Sequence, residues 1–204
     1  MVKKLDKNAI RTAYCCMPVT VDRDEAINAK LKLLQGRIFG KPIVKFKVGA
    51  TRNVLIPYSY IVYNLTPTRS KLLGAQNKNA DRKICVVFDI NEKHAMQYDV
   101  YESGELEMVN KNFNNEWEII DTDLSKDEIL EKVEDYINFN IVKRFYGGKA
   151  EIKFVSKKDF YRPAVEIDVI YRKNNLNKRY AYLDGFGIQS EHILGLKYRV
   201  EHKG

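Results

Sequence analysis

The chain has 204 residues, 45% of them hydrophobic and 30% charged, with a formal net charge of +8. That length can bury a substantial core, and the balance lies far from the signature of disorder. No apolar run reaches the roughly 18 residues of a membrane-spanning helix. In the opening "MVKKLDKNAIRTAYCCMPVT", Asp6, Lys7, Asn8 and Arg11 interrupt any signal-peptide core, so the expected compartment is the cytoplasm.

Near the N-terminus stand Cys15 and Cys16, two of three cysteines. Adjacent cysteines seldom bridge one another without strain, and three cannot make a paired framework. With three histidines and no Cys-x-x-Cys, a structural zinc site lacks spaced ligands, and neither a metal nor a cofactor is implied. Reduced thiols are expected. A reactive pair at Cys15 and Cys16 is the minor alternative.

The next signal is "DRDE", in which Asp22 caps a helix and Glu25 closes the box three residues on. A helix over about 22–39 follows, with Ile27, Leu31, Leu34 and Ile38 on one face, ended by Gly40 and Pro42. A short alternating strand, Val44 to Val48, leads through a turn to a strand opened by Pro57 and carrying Tyr58, Tyr60, Ile61 and Tyr63. Proline cannot donate to a ladder, so a strand start, a bulge or an edge is expected there. A long loop then returns to "ICVVFD", ending at Asp89, and to a fourth strand around "YDVY".

The second half repeats the order. "SKDE" caps with Ser125 and Glu128, and a helix over about 125–145 carries Leu130, Val133, Ile137 and Ile141. The strand Glu151 to Val155, a strand opened by Pro163, and "RYAYLD" ending at Asp184 follow, with a last strand around "KYRVE". Caps and stripes recur 103 positions apart (125 − 22, 128 − 25, 130 − 27, 137 − 34). The inferred fold is α+β: two tandem α-β-β-β-β units by internal duplication, each with one helix packed on a curled antiparallel sheet. The units are expected at 1–110, with strands over about 43–101, and at 124–204, with strands over about 150–201. Residues 111–123 read as a linker.

With the repeat in view, "DRDEAINAKLKLL" and "KRYAYLDGFGIQSEHI" resemble the two ends of a PepSY-type unit. In that unit a helix with an acidic-Ala opening is followed by strands, and the last strand ends in an Asp-small-x-Gly turn. Asp184 and Gly187 match that turn, whereas the first half has Asp89 in "DINEK" without the glycine. The resemblance implies a small non-catalytic module for protein binding and regulation, often outside the cytoplasm, and it supplies no catalytic residue.

Two constellations could carry chemistry. Asp89 with His94, and Asp184 with His192, pair an acid with an imidazole after matching strands, a general-base arrangement in principle. The simpler reading is turn chemistry, because an Asp at a strand end commonly accepts backbone N–H groups. The motifs of nucleotide-binding, hydrolytic and zinc-protease sites do not occur. Thirteen Tyr and nine Phe, interleaved with cations, also fit a nucleic-acid surface on which rings stack against bases. Its candidate residues are Arg52, Tyr58, Tyr60, Arg69, Arg162, Tyr171, Arg172, Lys173, Lys178 and Arg179. The same pattern fits half-buried sheet with lysines on the wet face. The expected function is therefore non-catalytic protein binding or adaptor work by two related repeats, through a sheet face or edge, with nucleic-acid binding as the alternative. Self-association remains open, and no membrane span is expected.

Overall fold

A computed structural model describes residues 2–4, 13–38, 41–67, 82–100, 104–147, 150–171 and 175–184. In chain order the elements are β1 (Val2–Lys4), β2 (Tyr14–Cys16), α1 (Arg23–Gln35), β3 (Arg37–Ile38), β4 (Lys41–Pro42), β5 (Lys47–Pro67), β6 (Arg82–Asp89) and β7 (His94–Tyr98). They continue with β8 (Val109–Lys111), β9 (Trp117–Ile120), α2 (Lys126–Ile137), a π-helical turn (Asn138–Val142), α3 (Lys143–Tyr146), β10 (Ala150–Ile170) and β11 (Leu176–Tyr182). The chain is mixed α+β, as the sequence predicts.

Both helix starts form where the caps place them. The Asp22 carboxylate accepts from the N–H groups of Asp24 and Glu25. At the second start the Ser125 hydroxyl and the Glu128 carboxylate complete a reciprocal box. The first helix ends earlier than expected, at Gln35. Gly36 takes φ 53°, a conformation that a side chain disfavours, and its N–H bonds to Leu33. Ile38 therefore leaves the helical stripe for β3, which pairs with β4. The second helix continues through the π-turn, and that additional residue lets both Ile141 and Val142 reach the core.

The strand expectations need a larger correction. In each half, the short strand, turn and Pro-led strand are one uninterrupted 21-residue strand, β5 and β10. Val44 to Phe46 precede β5 rather than forming part of it. Pro57 and Pro163 lie inside these strands, not at a start. Their positions show how that is tolerated. On one flank β5 pairs with β9 through Leu55 and with β6 from Tyr58 onward, so Pro57 falls where the neighbour changes. On β10, Tyr161 pairs with Cys16 of β2, and β11 takes over from Ala164, so Pro163 sits at the corresponding change. Each proline still uses its carbonyl, accepting from Ile90 at 3.2 Å and from Leu183 at 2.8 Å. The missing N–H thus costs half of one terminal rung. The β5–β9 and β10–β2 pairings are parallel, so the pairing is not purely antiparallel.

Two compact units emerge, and neither is one continuous stretch. Of the described residues, one takes those from Pro57 to Leu106 and from Asp121 to Phe160; the other takes those from Val2 to Ile56, from Glu107 to Ile120 and from Tyr161 to Asp184. Each long strand gives one part to each unit, changing over at Ile56–Pro57 and Phe160–Tyr161. In the first unit the α2 face formed by Ile129, Val133 and Ile137, followed by Ile141 and Val142, packs on Ile61, Tyr63 and Leu65 of β5 and Ile84, Val86 and Phe88 of β6. In the second, Ala26 of α1, with Ile27, Leu31 and Leu34 partly buried, covers Val165, Ile167, Val169, Ala181 and Leu183. The stretch expected as a linker is structured: β9 lies within it, and Phe113 is buried with Cys16 and Leu55. The fourth strand of the second half falls outside the described residues.

Candidate functional site

Of the seven cations singled out in the sequence, four lie among the described residues, and three of these, Arg52, Arg162 and Lys178, are held by acids. On β10, alternate residues face α1, and Glu166 lies between two of them, so its side chain projects from the opposite face. Its carboxylate, with only 2% of the side chain accessible, accepts from Arg52 Nε at 2.7 Å, Lys178 Nζ at 3.0 Å and the Tyr180 hydroxyl at 3.3 Å. Arg52 also reaches Glu118 at 3.2 Å, and the Glu166 hydrogen bond is the largest cause raising its pKa above the ordinary value. A buried carboxylate needs such compensation, since an unpaired charge there would be strongly unfavourable. The arrangement fixes β5, β9, β10 and β11 to one another and pairs Arg52 and Lys178 with acids.

Arg162 is an interior residue. Its guanidinium makes two parallel bonds to Asp184, at 3.0 and 2.8 Å, and lies 3.7 Å from the centre of the Tyr182 ring. Arg179 stands opposite Ile167 in the β10–β11 ladder, and its Nε is buried without a hydrogen-bond partner among the described residues. Tyr171 packs edge-on to Phe46 at 5.8 Å beside the α1 cluster. Arg69, Arg172, Lys173 and His192 lie outside the described residues.

The tyrosines of the first unit are built in as well. Tyr58 is fully buried and its hydroxyl donates to Asp89. Tyr60 packs edge-on to Tyr98 at 6.0 Å, and burial, then a hydrogen bond with Cys85, pushes its pKa far up. Asp89 also accepts from the Glu92 N–H at 2.9 Å and faces the exposed His94 across the β6–β7 ladder. Measured from the rungs at the prolines, Asp89 precedes Ile90 whereas Asp184 follows Leu183, so the two acids occupy different ladder positions.

Of the cysteines, Cys16 and Cys85 are buried and Cys15 is partly so; all three are free. Burial pushes the Cys16 thiol up, with Lys111 opposing, and the Cys15 thiol contacts the Met108 sulfur at 3.9 Å. Among the described residues no group of three His, Cys, Asp or Glu side chains could hold a metal ion, and no helix is long and apolar enough to cross a membrane.

Sequence reasoning overlooked the exposed aromatics of the first unit. Phe139, in the π-turn, is 67% exposed, with Lys143 Nζ 4.9 Å from its ring centre. Phe145 is 52% exposed beneath Arg144 at 5.4 Å. On β10, Phe154 and Val155 are exposed in succession, Phe154 resting edge-on against Tyr63. A helical projection would have flagged Phe139, which lies opposite the stripe of Val133, Ile137 and Ile141. Compared with protein-family models, curated proteins and solved structures, the chain matches none.

Proposed function

We propose that this chain is a non-catalytic protein-binding module built from two related α+β repeats, and that the surface of β10 around Phe154 and Val155 engages the partner. The carrying observation is that these adjacent residues are 40% and 49% exposed. Successive strand residues point to opposite faces, so among the described residues this part of β10 is partly open on both sides, with Phe154 resting on Tyr63 on one of them. Exposed Lys153 and Lys158 stand on either side of the pair, which suits an acidic segment bearing apolar side chains, whereas Lys157 is already paired with Asp159.

Several observations support the repeat. Both long strands have 21 residues, and both prolines fall where the neighbouring strand changes. The strands before the helices share the helical offset (Trp117 and Tyr14, 117 − 14 = 103), and each pairs in parallel with a long strand. The PepSY-type resemblance points to the same use, a helix-on-sheet binding unit.

The test uses the full chain as bait beside a Phe154→Ser/Val155→Ser variant with an unchanged circular dichroism spectrum. Proteins retained by the wild type and lost by the variant support the reading. Equal retention, or none, overturns it. A parallel anisotropy titration with mixed-sequence RNA and DNA examines the other use of the +8 charge; micromolar binding with a steep salt slope would replace the protein-binding reading.

A further inference from the structure

The solvent face of α2 and its extension carries a stripe at four-residue spacing: Asp127, Glu131, Asp135, Phe139 and Lys143, every one exposed. It runs opposite the buried stripe of Ile129, Val133, Ile137 and Ile141. Along this helix the charge changes sign. Residues 126–137 hold Asp127, Glu128, Glu131, Glu134 and Asp135 against Lys126 and Lys132, whereas residues 138–146 hold Lys143 and Arg144 with no acid.

An acidic start and a basic end suit the helix dipole and need no partner. The dipole does not account for Phe139, which places a ring 67% exposed where the sign changes. We infer that this face binds a second copy of the same chain, antiparallel, about a two-fold axis near Phe139. Rotation about such an axis sets Asp135 of each helix, four residues before Phe139, against Lys143 of the other, four residues after it, with Glu131 near the end of that helix. It also covers Phe139 with its counterpart from the second copy. A parallel pairing would set like charges together. An isologous contact needs a self-complementary patch, and one helix with both signs and an apolar centre supplies it. This surface is distinct from the β10 segment proposed to bind a partner.

The experiment is sedimentation equilibrium of the full chain at ionic strengths of about 0.01 M and about 1 M, between which the Debye length falls from about 30 Å to about 3 Å. The wild type is expected to dimerise reversibly and less tightly at high salt, and Phe139→Ser to weaken the dimer about tenfold or more. Lys143→Glu/Arg144→Glu and Glu131→Lys/Asp135→Lys should each be monomeric. Mixed in equal amounts, those two variants should form a heterodimer, a gain that misfolding could not produce. A wild type monomeric at low salt, a dimer indifferent to these substitutions, or a mixture that stays monomeric would each overturn the proposal.

Discussion

Replacing Arg162 by Leu should unfold this protein more readily than any surface change, and the cost follows from the environment of Asp184. In the native chain the Arg162 side chain is 2% accessible and that of Asp184 0%, and two parallel hydrogen bonds join them. Leucine fills some of the volume but leaves a carboxylate without its cation in the interior. Breaking a buried pair in this way costs about 3–5 kcal/mol. Loss of the guanidinium from above the Tyr182 ring adds up to about 2 kcal/mol. A loss of about 4 kcal/mol against a total stability of about 5–15 kcal/mol would lower a urea midpoint by about 2 M for an m-value near 2 kcal/mol/M. Arg162→Lys, which keeps the charge without the planar fork, should lose about half as much. A deficit below about 1 kcal/mol would refute the assignment of this pair as a paired charge holding the second unit together.

Other substitutions test the first unit. Ile137→Ala empties a site with no solvent access under α2 and should cost about 2–5 kcal/mol in urea unfolding. Ser125→Ala removes the hydroxyl half of the capping box and should cost about 1 kcal/mol, measured the same way. Burial, reinforced by Glu134, pushes the Tyr63 hydroxyl well above its ordinary value, so the folded chain holds this proton after the unfolded chain releases it. The contribution is complete below about pH 10 and is lost above it, at about 1.4 kcal/mol per pH unit. Tyr63→Phe should accordingly flatten the alkaline fall in stability between about pH 10 and pH 11, followed by urea midpoints.

The charged residues divide according to what sequence can reveal. Arg52, Lys178 and Arg162 are legible as cations, but their partners Glu118, Glu166 and Asp184 lie up to 114 positions away, and no local pattern links them. Whether a lysine or arginine is available to a ligand depends on which acid the fold sets beside it. Net charge carries no such information. Phe139 is the converse case: its place on the polar side of a helix can be read from periodicity, yet only burial shows that nothing in the described chain covers it.

Local chemistry determined the helix starts by itself, because Asp22 and Ser125 satisfy backbone donors within three residues, and periodicity then marked most of the buried faces. Tertiary structure decided the strands. Proline at positions 57 and 163 reads as an interruption when judged by its own missing N–H, whereas the cost depends on whether a neighbouring strand asks for that N–H at that rung. Here the neighbours change at the prolines, so each 21-residue strand runs on and gives one part to each compact unit. Pairing of that kind is set by hydrogen bonds between segments far apart in the chain, which is why sequence could name the pieces and only the fold could join them.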